Sequence, residues 1–205
     1  MKLDNWHLVF VSLSIFLVLT IGAPAVIAHL RLSIKEEKFF ALAVLGEDGM
    51  TDHYYPNEDQ NIEVGEDVHW NIYLYNQMGE SQYIAVRIKL LNSTNLAPNS
   101  TSCSPSPSVV VYEVRRVLLD NETWLYPFSW SIHEIEQIND FVKINLLAIN
   151  NDYFKTQAIA KDGNNFRFVL ELWIFNESLQ EFQFSWIYND KSRCAWNQIW
   201  FNAMS

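Results

Sequence analysis

Apolar and polar side chains alternate with a period of two in several segments of this chain, and this pattern constrains the fold more than any other feature. In residues 83–91 the apolar side chains occupy every second position, opposite Arg87 and Lys89. Residues 166–175 repeat the pattern, with Arg167 and Glu171 opposite the apolar set. Because successive side chains of a β-strand point to opposite faces, the alternation predicts strands with one buried face. The same reasoning predicts strands at 68–75, 142–148 and 182–188, with shorter ones at 128–132 and 196–201.

Turn-forming residues separate these strands, for example at 77–81, 120–122 and 150–152. Seven to nine strands at this spacing predict an all-β fold, a single Ig-like two-sheet sandwich over residues 39–205. A Ser/Asn/Pro-rich stretch at 92–108 is expected to be a long loop. Apart from Glu113, Arg115 and Arg116, residues 109–119 are apolar on both faces and are interpreted as a central strand.

One stretch departs from the alternation. Ile132, Ile135, Ile138 and Phe141 recur at every third position. This spacing favours a short helix or 3₁₀ segment that crosses between the two sheets.

The N-terminal part of the chain has a different character. From Leu8 to Ala28 no residue carries a formal charge, and the segment is long enough to cross a membrane. We therefore expect a short N-terminal flank at 1–7, one transmembrane helix at 8–30 and a charged connector at 31–38. A cleaved signal peptide is the alternative, because the small residues around Pro24 suit cleavage.

The orientation of this segment rests on two opposing signals. Basic residues at 31, 35 and 38 follow the segment, whereas Lys2 alone precedes it, which is the wrong way round for an external C-terminal domain. Four N-glycosylation acceptors favour an extracellular domain, and they lie at Asn92, Asn99, Asn121 and Asn176. We give the four acceptors more weight and predict a single-pass protein of the cell membrane with its C-terminal domain outside the cell.

The chain has two cysteines, Cys103 and Cys194, both in polar segments. In an exported protein such a pair can form a disulfide, which is the prediction here. Two unpaired thiols are the alternative, and a metal site on both lacks the usual CxxC spacing.

The net charge of −10 excludes nucleic acid as an expected partner. No Gly-rich phosphate loop and no GxSxG nucleophile motif is present, and the sequence from His133 to Gln137 begins like a zinc-protease helix but lacks the second His. We therefore predict no catalytic residues, no cofactor and no enzymatic activity, with a hydrolase as a remote alternative.

Two groups of residues are candidates for binding. Acidic residues crowd positions 47–67 beside His53 and His69, where a cation could bind, although acidic turns usually face water and no metal ligand is assigned. Trp173 and Phe175 lie opposite the apolar face of their strand and form a candidate interaction face for a protein or a sugar. Packing within the domain is the alternative for both aromatic residues.

Several short motifs resemble the archaeal membrane-anchored "domain of unknown function 1616" family. They are FALAVLGEDG (40–49), Tyr55-Pro56, IEVGED (62–67), NQMGES (76–81), PNSTSCSPSP (98–107), DNETW (120–124) and ELWIFNES (171–178). The resemblance covers most of residues 39–202. It implies a β-rich, Ig-like extracellular domain on a membrane stem in an archaeal cell envelope, with no functional residues to carry over.

The expected function is that of a non-enzymatic, membrane-anchored envelope protein. It would be an accessory or structural subunit of a larger membrane complex, or a link to a surface layer, with other membrane or surface-layer proteins as partners and no small-molecule ligand. The alternative is an extracellular glycan- or metal-binding module that serves a membrane transporter or a metalloenzyme.

Overall fold

The computed structural model describes residues 5–18, 20 and 37–204. The chain divides into two compact units, Met1–Glu37 and Lys38–Ser205. Residues 31–36 of the predicted connector lie outside the described residues.

The first unit contains helix α1, Asn5–Leu17. At about 1.5 Å per residue its 13 residues extend roughly 20 Å, whereas a hydrocarbon core is about 30 Å thick. Among the described residues, none of the helices is sufficiently long and apolar to span a membrane. The predicted transmembrane helix at 8–30 is therefore not supported, and most of its second half lies outside the described residues.

The second unit is made of strands. In chain order they are β1 (Phe39–Leu45), β2 (Asn61–Glu63), β3 (Asp67–Gln77), β4 (Gln82–Asn92), β5 (Val110–Leu118), β6 (Thr123–Ile138), β7 (Phe141–Ile149), β8 (Asp152–Lys155), β9 (Ile159–Lys161), β10 (Phe166–Asn176), β11 (Glu181–Gln183), β12 (Ser185–Tyr188), β13 (Lys191–Cys194) and β14 (Trp196–Met204). A 3₁₀ turn, Pro56–Glu58, precedes β2.

These strands form two main sheets and one hairpin. The first sheet has the order β1-β3-β6-β7-β8, with β9 also paired to β7. The second has the order β2-β14-β10-β4-β5, with β11 also paired to β10, and β12 pairs with β13. The predicted all-β, two-sheet sandwich is confirmed.

The strand order is Ig-like. β10 lies between β4 and β14, as strand F lies between C and G in immunoglobulin sandwiches. All main pairings are antiparallel except that of β2 with β14, which is parallel. The short β2 thus extends the second sheet although its neighbours in sequence, β1 and β3, belong to the first.

The core between the sheets is aromatic. The rings of Trp70 and Trp130, from the first sheet, lie 5.3 Å apart. The ring centre of Trp130 lies 4.9 Å from that of Phe168 and 4.7 Å from that of Phe201, both from the second sheet. Each such pair adds about 0.5–1.5 kcal/mol beyond the burial of its surface, so this cluster joins the two sheets directly.

The predicted helical segment at 132–141 is wrong. β6 continues to Ile138, a turn follows at Asn139, and β7 begins at Phe141. The pairing of β6 with β7 shifts on both sides of Glu134, which marks a β-bulge. Because a bulge inserts one extra residue, it changes the spacing of same-face side chains from two to three and imitates a helical pattern.

The interpretation of 109–119 as a central strand is also wrong. β5 pairs only with β4 and forms an edge of the second sheet. Tyr112 and Val114 of β5 pack against the core, while Val117 on its other face is 56% exposed. Between β4 and β5 the chain runs through the predicted loop, which we call the cover loop (residues 93–109).

Candidate functional site

The outer face of the second sheet carries polar side chains that are buried. Alternation along β10 directs Phe168 and Leu170 into the core and places Arg167 and Glu171 on the opposite face. Glu171 is nevertheless 0% exposed, and Lys89 on the neighbouring β4 is 3% exposed. The cover loop lies over them and excludes water.

Lys89 and Glu171 form an ion pair whose polar atoms are all occupied. The Lys89 Nζ lies 2.8 Å from Oε2 of Glu171 and donates to the carbonyl oxygen of Ser106 at 2.6 Å. Glu171 also accepts hydrogen bonds from the Ser106 amide at 2.7 Å and from Nε1 of Trp173 at 3.0 Å. A buried ion pair persists only when its remaining donors and acceptors are satisfied, and Ser106 of the cover loop provides this.

Two further contacts hold the cover loop on the sheet. Arg167 donates to the carbonyl oxygen of Asn95 at 2.7 Å and to Gln198 at 2.9 Å. Trp196 donates from Nε1 to Oγ of Ser100 at 2.9 Å. The loop is therefore attached to β4, β10 and β14.

The two cysteines are brought together at this attachment. Cys103 belongs to the cover loop, Cys194 ends β13, and both are thiols in the structure. Burial, with a smaller contribution from the adjacent Cys103 thiol, raises the pKa of Cys194 to about 12. The predicted disulfide stays a prediction, but its two partners are neighbours.

Trp173 and Phe175, the predicted interaction face, differ in their surroundings. The half-buried Trp173 packs under the guanidinium of Arg87, 4.0 Å from the ring centre, and beside Phe184 at 5.7 Å. The ring centre of Phe175 lies 5.7 Å from that of Tyr83 and 5.3 Å from that of Phe182. The interaction face of Trp173 and Phe175 stays a prediction, and Tyr83 and Phe182 lie beside its outer member, Phe175.

We call Tyr83, Phe175 and Phe182 the aromatic patch. Tyr83 is 38% exposed and pairs across the strands with the exposed Val117. The Arg115 guanidinium lies 4.9 Å from the ring centre of Phe182. Phe175 and Phe182 are half-buried, and the patch lies apart from the residues that contact the cover loop.

Glu113 links Arg115 to the sheet. Its carboxylate binds Arg87 at 2.6 Å and Arg115 at 2.5 Å. Burial alone would raise the pKa of Glu113, but the hydrogen bonds from the two guanidinium groups outweigh it and lower the pKa.

A second candidate site, which we call the polar depression, lies on the outer face of the first sheet. It consists of two hollows of about 490 and 270 Å³ that share Asp67. His53 and His69 line the larger hollow and His133 the smaller, and these are the three histidines of residues 37–204. In the smaller hollow, His133 packs edge-on against the exposed Tyr153 at 4.9 Å.

His53 is surrounded by carboxylates at the rim of the larger hollow. Its Nδ1 lies 3.1 Å from Asp48 and 3.7 Å from Asp52, and its Nε2 lies 3.2 Å from Glu58. The turn packs tightly, because a Cβ on Gly46 would lie 2.3 Å from the carbonyl oxygen of Asp52. Ligand atoms of Asp48, Asp52 and His53 lie within 4.8 Å of one another, so the group could hold a cation.

The charges of this group act on one another. The hydrogen bond that His53 donates to Asp48, with the negative charge of Asp52, raises the pKa of His53. The hydrogen bond from the Met50 amide, followed by that from His53, lowers the pKa of Asp48. His53 and His69, the two histidines beside the acidic residues, both line the larger hollow.

The four glycosylation acceptors occupy different environments. Asn99 and Asn121 are exposed, whereas Asn92 and Asn176 are half-buried at the ends of β4 and β10. The side-chain amide nitrogen of Asn92, Nδ2, donates to the carbonyl oxygen of Ile159 at 2.6 Å. Use of the acceptors stays a prediction.

Sequence reasoning missed Lys89, Ser106 and the burial of Glu171. Both charged residues lie opposite an apolar face, where alternation alone places a side chain in water. Two prolines flank Ser106, and this short Pro-Ser-Pro motif was the signal that the loop is stiff enough to act as a cover.

No protein-family model and no curated protein matches this sequence, so the resemblance to the archaeal family stays a prediction. Among solved structures, the CARDB domain of a Pyrococcus furiosus protein, in complex with di-metal ions, has a TM-score of 0.39 at 8% identity over 82% of this chain and 90% of that chain. A β-glucosidase from Listeria innocua, in complex with isofagomine, has a TM-score of 0.32 at 11% identity, over 60% of this chain and 16% of that chain. The likeness is too distant to bear on the function.

Proposed function

We propose that this protein is a non-enzymatic component of the cell envelope whose β-sandwich binds another protein as an accessory or structural subunit. The aromatic patch is the observation that carries the proposal. Tyr, Phe and Arg are enriched at the centres of protein interfaces, and here Tyr83, Phe175, Phe182 and Arg115 lie side by side beside an exposed valine.

The surroundings of the patch suit a binding surface. Glu113 holds Arg115 and Arg87 in place, and the strands β4, β5 and β10 form a rigid base. Few side chains would need to be ordered on binding, so less conformational entropy is lost.

The expected partner is a different chain. A net charge of −10 opposes the association of two copies of this protein. Arg115 instead suits a partner segment that combines apolar side chains with a carboxylate. The uncharged stretch from Leu8 to Ala28 supports a location at the membrane, and the four glycosylation acceptors support a position of the sandwich outside the cell.

A photo-crosslinking amino acid at Tyr83 tests the proposal in intact cells. The expected result is one discrete adduct, identified by mass spectrometry as the same envelope protein in repeated experiments. The change Arg115→Glu should decrease its yield by about tenfold, because a charge reversal at an interface costs more than 1.4 kcal/mol. The same amino acid at Tyr153, which lies on the first sheet and is 62% exposed, is the control and should give no such adduct.

Two results contradict the proposal. One is the absence of an adduct at Tyr83 although the protein is present and folded. The other is an adduct of two copies of this chain, which would make the patch a self-association surface.

A second candidate function is metal binding at the polar depression, supported by the carboxylates that surround His53. Calorimetric titration with Zn²⁺ and with Ca²⁺ tests it. Binding that is lost in His53→Ala and retained in His69→Ala would favour this function. Identical titrations of His53→Ala and the unmodified protein would exclude it.

A further inference from the structure

The cover loop and the hairpin β12–β13 meet at the only two cysteines of the chain. Cys103 and Cys194 lie about 90 residues apart in the sequence. Two hydrogen bonds that meet at Ser100 place the cover loop beside the end of the hairpin. Sγ of Cys103 lies 3.6 Å from the carbonyl oxygen of Ser100, and Oγ of that serine accepts the hydrogen bond from Trp196, two residues after Cys194.

We propose that Cys103 and Cys194 form a disulfide that fastens the cover loop over the buried Lys89–Glu171 ion pair, so that the oxidation state of the cysteines controls access to this face of the sheet. This disulfide does not depend on the proposed partner, because the two cysteines lie apart from the aromatic patch.

The consequence follows from the position of Ser106. This residue lies three positions after Cys103 and provides both a donor and an acceptor to the ion pair. When the loop lifts, Ser106 leaves and water reaches two buried charges. A covalent link at Cys103 limits this opening because it removes conformations in which the loop is separated from the hairpin.

The chemistry requires an oxidant. Each thiol loses its proton, and the two sulfurs together give up two electrons as the S–S bond forms. A disulfide, either of an exported thiol–disulfide oxidoreductase or of oxidised glutathione, accepts these electrons and is reduced to two thiols. The reaction proceeds through a mixed disulfide on one cysteine, which the second thiolate then attacks. Cys194 is the more exposed residue and is the expected site of the mixed disulfide, and its raised pKa makes this first step faster at alkaline pH.

Oxidation of the purified full chain with glutathione disulfide tests the first half of the proposal. After alkylation, mass spectrometry without reduction should detect a peptide pair joined through Cys103 and Cys194. Two alkylated thiols, or stable glutathione adducts on separate cysteines in a folded protein, would overturn it.

Hydrogen exchange of residues 93–109 tests the second half. The Ser106 amide should exchange about tenfold more slowly in the oxidised protein than after reduction with dithiothreitol. The double variant Cys103→Ser/Cys194→Ser should exchange like the reduced protein under both conditions. Reduction of the unmodified protein provides the same comparison if the variant does not fold. Equal exchange in both redox states would show that the bond does not fasten the loop.

Discussion

Removing one charge of the buried ion pair should destabilise the sandwich strongly. In Lys89→Met the Glu171 carboxylate stays buried at 0% exposure, with the Ser106 amide and the Trp173 indole as its donors and no cation. An uncompensated buried charge costs about 3–5 kcal/mol. For a domain of this size 1 kcal/mol corresponds to about 2–4 °C, so the melting temperature should fall by roughly 6–20 °C.

Removing both charges should cost less than the two single changes together. The double variant Lys89→Met/Glu171→Leu leaves no buried charge, although both polar groups of Ser106 lose their partners. We expect a coupling energy of about 1–3 kcal/mol in the double-mutant cycle. Urea unfolding, followed by tryptophan fluorescence and circular dichroism, measures each free energy of unfolding.

An exposed ion pair is the matched control. Arg116 and Glu122 lie 2.6 Å apart, with side chains 41% and 25% exposed. Arg116→Met should cost about 1 kcal/mol or less, because water screens this pair. The reasoning is refuted if Lys89→Met costs no more than Arg116→Met, or if the two changes at the buried pair are additive.

Three further changes test other parts of the structure. Gly163→Ala should destabilise the protein by more than the roughly 1 kcal/mol expected for Gly49→Ala, as measured by parallel urea titrations. Both glycines have positive φ, but of the two only Gly163 would place a Cβ 2.2 Å from a backbone oxygen. The pKa of His53 should lie above 6.5 by NMR titration and fall in Asp48→Asn, with its contribution to stability complete below pH 6.5 and lost as the pH rises through the folded-state pKa; an unchanged value would contradict the ion pair. Ile132→Ala should cost about 2–5 kcal/mol by thermal unfolding, because this side chain is fully buried although its spacing imitates a helix.

The sandwich was predictable because alternation is local and redundant. Segments such as 83–91 and 166–175 each carry four or more apolar side chains on one face, and a shift by one residue would expose the entire set. The error at 132–141 has a specific cause. The bulge at Glu134 places Ile135 on the same face as Ile132. A bulge is visible only in the pairing of β6 with β7, so the sequence of β6 alone does not indicate it.

The candidate site was less predictable because alternation separates two faces but does not say which of them water reaches. Lys89 and Glu171 alternate with core residues as exposed charges would, and their burial depends on Ser106, which belongs to a segment without periodicity. The same covering decides what the outer face can bind. Trp173 and Phe175 are consecutive side chains on this face of β10, but their surroundings differ. Trp173 donates a hydrogen bond to the buried Glu171, whereas Phe175 packs against Tyr83 beyond the cover loop. We therefore place the proposed binding surface at Phe175 and Tyr83 and not at Trp173.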